Sequence, residues 1–116
     1  MEVESSRLFD APLVKIDGEI DHGNASVLAD ALETHIDEGA DIILLDLSEV
    51  TYLDSGGISA ILGAVRELRE RGWLGAINPN PNVRRLLEIV GLSVDKGFRV
   101  FADRTEAESA VGECAR

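Results

Sequence analysis

The sequence predicts a single α/β layer domain with a largely parallel sheet. Two observations carry this reading. Short apolar runs of strand length alternate with segments of helical periodicity after an initial hairpin. Ile42-Ile43-Leu44-Leu45 is a continuous apolar run, the pattern of a strand buried on both faces.

Each element has a local reason. Val3 to Phe9 and Leu13 to Ile16 read as two strands joined by a turn at Asp10-Ala11-Pro12. Asn24 to Glu38 reads as a helix with Val27, Leu28, Ala31, Leu32 and Ile36 inward, stopped by Gly39. Asp41 to Leu47 is the buried strand, with Asp46 closing it and capping the following turn. A short extended run then ends at Asp54-Ser55, where two glycines allow a sharp turn. The next helix carries Ile58, Ile61, Leu62, Val65 and Leu68 on one face, runs to about Arg71 and ends at Gly72. Trp73 to Ile77 is a short strand. Asn80-Pro81-Asn82 opens a helix with the stripe Val83, Leu86, Leu87 and Val90, and proline suits its first turn. Gly91-Leu92 fits a Schellman ending with its apolar contact. Phe98 to Phe101 is the last strand, and Asp103 with Glu106 resembles a capping box for a short terminal helix.

Composition narrows the function. The chain has 116 residues, 45% of them apolar, enough for one domain with a real core. A net charge of −11 argues against nucleic acid and anionic membranes, which need basic patches. No apolar run approaches the ~20 residues that span a bilayer. Met1 to Ser6 is acidic and lacks the basic and apolar regions of a signal peptide, so a cytoplasmic domain is expected. The single cysteine, Cys114, excludes an internal disulfide and a cysteine metal cluster. No acidic cluster has metal-loop spacing and no Walker loop is present, so neither metal nor nucleotide cofactor is expected.

The segment Thr51-Tyr52-Leu53-Asp54-Ser55-Gly56-Gly57 places Ser55 at or beside a helix N-cap, its hydroxyl at the positive end of the dipole. Serine is a common cap, and a cap alone would explain it. A phosphoryl group there would meet backbone N–H groups that favour anions, so a reversible phosphate switch is the alternative. A serine peptidase is rejected, because those enzymes need a longer all-β framework. The G-x-S-x-G elbow is absent, since Leu53 occupies its first glycine position. His35 lies at the edge of an apolar stripe as a packing residue. His22 follows Asp21 in a loop, where a Ser55–His22 pair oriented by an aspartate stays open. Glu33, Asp37 and Glu38, the run Arg66 to Arg71, and Arg84 with Arg85 read as solvated faces.

Several blocks together resemble the STAS domain family, and within it the stand-alone anti-sigma factor antagonists. They are Gly18-Glu19-Ile20-Asp21-His22, Ile43 to Val50, Leu53-Asp54-Ser55-Gly56-Gly57-Ile58, Gly63, Arg71-Gly72, and Asn78 to Leu92. The resemblance covers roughly residues 3–112. It implies one STAS domain over residues 1–116, with a mixed, mostly parallel sheet of about five strands flanked by about four helices. It implies a partner switch and not an enzyme. The unphosphorylated protein binds an anti-sigma factor that is also a serine kinase, and the sigma factor is released. The kinase phosphorylates the serine after the motif aspartate, here Ser55, and a PP2C-type phosphatase resets the cycle. Asp21 and His22 would form part of the docking surface, Asp54 would orient the loop or the hydroxyl, and Gly56 and Gly57 would keep the approach open. An exposed docking face suits a monomer without direct membrane contact. One departure is Gly56, where the family usually carries a second Ser or Thr. The alternative is a structural STAS module of a stressosome-like scaffold or membrane transport complex. A small hydrolase using Ser55 is the remote third.

Overall fold

The computed structural model describes residues 1–114; the side chain of Cys114 lies outside the described residues. Strands β1 (Glu2–Leu8), β2 (Ala11–Ile20), β3 (Ile42–Leu53), β4 (Trp73–Ile77) and β5 (Phe98–Phe101) form one sheet in the order β1-β2-β3-β4-β5. The β1–β2 pair is antiparallel and the other three pairs are parallel. The helices are α1 (Ala25–Asp37), α2 (Ser55–Leu68), α3 (Pro81–Ile89) and α4 (Arg104–Cys114), with a single 3₁₀ turn at Leu92–Val94.

The strand order never reverses from β2 to β5, so right-handed crossovers put α1, α2 and α3 on the same face of the sheet. There Val14, Ile16, Ile43, Leu45 and Leu74 meet Leu28, Leu32, Ile61, Val65 and Leu87. The opposite face would be bare without the C-terminal α4. Its Ala107 and Val111 cover Leu13, Leu44, Trp73, Ile77 and Phe101. The continuous apolar run in β3 therefore serves two layers, with Ile43 and Leu45 on one side and Leu44 on the other. Each such fully buried side chain contributes about 1.5–3 kcal/mol. The Trp73 and Phe101 rings lie 5.7 Å apart, and the Arg99 guanidinium sits 4.4 Å from the Trp73 ring centroid.

Both strands leading to the serine are longer than the sequence suggests. Asp46 does not close β3: the strand continues to Leu53, with Asp46 accepting hydrogen bonds from the Ser48 amide and hydroxyl. β2 keeps pace through register shifts between Lys15 and Asp17 and between Gly18 and Glu19. Gly18 takes the left-handed φ of 106° at the second shift, a conformation open to glycine. The outcome is that Ile20 lies opposite Leu53, so both strands end together. Val27 and Val90, expected inward, are exposed, Val27 because it falls outside the Leu28, Leu32 and Ile36 stripe and Val90 because it is the C-cap of α3. Gly91 takes the expected left-handed cap, with φ 86°, and Leu92 is buried beneath it.

The hairpin also differs. Ala11 and Pro12 belong to β2, paired with Leu8 and Arg7, so the turn is the two residues Phe9-Asp10. Phe9 has φ 56° and an exposed side chain, at a hairpin position that glycine usually fills. Phe9→Gly should therefore raise stability by about 0.5–1 kcal/mol, read as a higher urea midpoint at unchanged slope.

Candidate functional site

The C-terminal ends of β2 and β3 carry the loops that lead into α1 and α2. The Asp54 amide donates to the Ile20 carbonyl at 3.1 Å, which holds the two strand ends together. Asp54, not Ser55, is the N-cap of α2. Its Oδ1 accepts from the Gly56 and Gly57 amides at 2.8 and 3.3 Å, and its Oδ2 accepts from the His22 amide at 3.1 Å. One carboxylate thus caps the helix and staples the neighbouring loop to it. Burial raises the Asp54 carboxyl, but the Gly57, Gly56 and His22 amides, and then the His22 charge, outweigh it and hold it below its ordinary 3.8.

A depressed folded-state pKa contributes stability above the unfolded value and loses it as pH falls through the folded one. Asp54→Asn, which keeps an acceptor at the cap, should flatten the loss of melting temperature below about pH 3.8 relative to the wild-type chain.

Asp21 organises its own loop. Its Oδ1 accepts from the Gly23 and Asn24 amides at 2.9 and 3.1 Å. The Asp21 amide donates back to Asn24 Oδ1 at 2.9 Å, and Asn24 Nδ2 donates to the Glu19 carbonyl. This reciprocal arrangement starts α1 and fixes where His22 projects.

Ser55 is the first residue of α2 and is exposed. Its hydroxyl is not used for capping and lies 3.1 Å from His22 Nε2. Asp54 therefore orients the loop, and His22 is the hydroxyl's partner. The expected free amides are taken as well: Gly56 and Gly57 serve the Asp54 side chain, and the Ile58 amide donates to the Asp54 carbonyl at 3.0 Å. The glycines permit close approach instead of an open one. A Cβ on Gly57 would fall 2.3 Å from Leu53 Cδ1 and 2.7 Å from Ile20 Cγ2, inside the core. A Cβ on Gly56 would fall 2.8 Å from His22 Nδ1 and 3.0 Å from its Cα. The imidazole occupies the space over Gly56.

The hydrolase geometry is not present among the described residues. An orienting carboxylate would hold the histidine Nδ1, leaving Nε2 for the serine. Here Asp54 Oδ2 lies 4.0 Å from the same Nε2 that faces Ser55. His35 packs between α1 and β1, with Nε2 3.4 Å from the Ser5 hydroxyl and Nδ1 3.9 Å from Glu38. No group of three His, Cys, Asp or Glu residues that could hold a metal ion exists among the described residues. No described helix is long and apolar enough to cross a membrane.

The sequence reading left a Ser55–His22 pair open and missed that the two touch, because they lie 33 apart and only the joint ending of β2 and β3 brings them together. It also missed the approach of Glu33 to Glu67 across α1 and α2. A hydrogen bond between them, with burial and mutual repulsion, raises the Glu33 carboxyl.

Fold and site together define a small α/β domain that presents one serine on a rigid helix start between two loops. A family model described as the STAS domain matches residues 3–107, and the chain belongs to that family. The anti-sigma-B factor antagonist of Listeria monocytogenes is 38% identical over 77 residues, covering 66% of this chain and 68% of the relative. The anti-sigma-B factor antagonist of Bacillus subtilis is 35% identical over 80 residues, covering 68% and 72%. The unphosphorylated form of the anti-sigma factor antagonist SpoIIAA superimposes with a TM-score of 0.82 at 23% identity, over 97% of each chain. That likeness extends the agreement to the whole fold.

Proposed function

We infer that this chain is an anti-sigma factor antagonist, a binding module controlled by phosphorylation of Ser55. The observation that carries this reading is the state of the serine. It stands exposed at the first position of a helix whose cap is already made by Asp54, so its hydroxyl is dispensable to the fold. The names of the curated relatives agree with that role.

The partner is an anti-sigma factor that also phosphorylates Ser55, and a PP2C-type phosphatase removes the phosphate. Asp21, His22, Asp54 and Gly56 form the docking surface around the serine, and Gly57, buried against Leu53 and Ile20, supports it from beneath. The protein acts as a cytoplasmic monomer, a single STAS domain over residues 1–116 with no catalytic role of its own. Phosphorylation adds about −1.5 to −2 charges. Placed between Asp21 and Asp54, it opposes docking through like-charge repulsion and desolvation.

Incubation with ATP and a cytosolic extract of the source cells tests this. Intact-mass analysis should show one added phosphate on the wild-type chain and none on Ser55→Ala. An unmodified wild-type chain in an extract that phosphorylates other proteins would overturn the reading. Retention of one large assembly by both chains, regardless of Ser55, would identify a scaffold module instead.

A further inference from the structure

A phosphate on Ser55 would face an unusual set of groups. The Gly56, Gly57 and Ile58 amides are already bonded to Asp54. The adjoining Asp54 carboxylate repels it, and neither Lys nor Arg hydrogen-bonds or ion-pairs with Asp21, Asp54 or Ser55 among the described residues. One group there is able to become cationic. His22 Nε2 lies 3.1 Å from the very oxygen that would carry the phosphoryl group. The ring is held there by its backbone, because the His22 amide is bonded to Asp54 Oδ2, and by the space that Gly56 leaves. Its side chain is 74% exposed, so it is free to take a proton from solvent and to follow the phosphate outward.

We propose that His22 is a phosphate-binding residue of the modified protein: its imidazolium pairs with phosphoserine 55 and holds the dianion over Gly56. This rests on Ser55 being the phosphoacceptor. No bond between heavy atoms is made or broken; the imidazole nitrogen takes one proton from a buffer acid in the solvent, which leaves as its conjugate base, and the ion pair forms by a charge-assisted hydrogen bond. Asp54 at the end of β3 faces the ring, with its Oδ2 4.0 Å from Nε2, and the phosphate on α2 would face it as well. Both are anionic, the charge that an imidazolium pairs with. The pairing thereby shields the phosphate from the solvent that Ser55 faces. Gly56 acts as the positioning residue, since a side chain there would displace the ring.

The test uses the full chain with phosphoserine installed at position 55 by genetic-code expansion, followed by ³¹P and histidine-ring NMR titrations. Because the phosphate is installed, the result stands whether or not a cellular kinase uses Ser55. The Ser55 phosphorylation assay decides that separately. With His22 present, the second phosphate ionisation should lie lower than in His22→Gln by roughly half a unit or more, as expected for an adjacent cation. The ring resonances should titrate in step with the ³¹P signal. Gly56→Ala, with His22 retained, should lose most of that shift. Amide spectra of each variant verify the fold, and the exposed His22 side chain leaves no core contact to break. Identical ³¹P titrations of the wild-type and His22→Gln phosphoproteins would overturn the proposal.

Discussion

Gly72→Ala is expected to lower the melting temperature by roughly 10 °C or more, the largest effect of any single methyl added to this chain. Gly72 joins the end of α2 to β4 and lies against the backbone that begins β3. A Cβ at this position would fall 1.8 Å from the Asp41 carbonyl oxygen and 2.7 Å from its carbon. The neighbour is backbone, so no rotamer change relieves the overlap. That same carbonyl accepts the Trp73 amide at 3.1 Å, and the Gly72 amide donates to the Leu68 carbonyl at 2.7 Å. Making room separates β4 from β3 at the centre of the sheet. Overpacking a tight site costs about 1–3 kcal/mol, and a backbone overlap of this depth belongs at or above the upper end. Gly63→Ala is the matched control. Gly63 lies inside α2, is exposed, and has open space where its Cβ would go. Alanine there should raise stability by about 0.5–1 kcal/mol. Thermal melts of the two variants side by side check both signs, and equal melting temperatures would contradict the packing described for Gly72.

Ser55→Asp is expected to weaken binding to the anti-sigma partner by roughly 30-fold or more, about 2 kcal/mol, at unchanged fold stability or slightly above it. The two halves of that statement have different causes. An acidic side chain in the first turn of a helix interacts favourably with the dipole, by about 0.3–1 kcal/mol. The cap is untouched, because Asp54 makes it. At an interface the same charge is placed beside Asp54 and Asp21 and must be desolvated on docking. Ser55→Ala, which removes the hydroxyl without adding charge, should bind within a few-fold of the wild-type chain. Titration calorimetry with the partner retained by the wild-type chain measures both variants. Equal affinity of Ser55→Asp and wild type would remove the electrostatic basis of the switch.

Most of the architecture was legible along the chain because it depends on local pattern. The continuous run Ile43 to Leu45 marked a strand with two buried faces, and the sheet uses both. Asn80-Pro81 marked the start of α3, where Asn80 Oδ1 accepts the Val83 amide at 2.8 Å. Asp103 and Glu106 marked α4, with the Glu106 amide donating to Asp103 Oδ1 at 2.9 Å. Capping and periodicity act over a few residues, so composition and spacing report them directly. The hairpin was placed wrongly for a physical reason. Proline is compatible with the end of an edge-paired strand as well as with a turn, and the left-handed turn residue proved to be a phenylalanine.

The sequence by itself determined the alternation of strands and helices after a hairpin, the family, and the serine at the start of α2. What only the tertiary structure decided is how that serine is surrounded. Asp54 and not Ser55 caps the helix, the initial amides are already occupied, and His22 lies against the hydroxyl. The contacts of His22 with Asp54 and Ser55 join residues more than thirty positions apart, and they exist because the Gly18 register shift brings Ile20 level with Leu53. Hydrogen bonding at a few ångströms is decided by where two strands end together. A one-residue change in register, which leaves every local propensity intact, would send those side chains elsewhere.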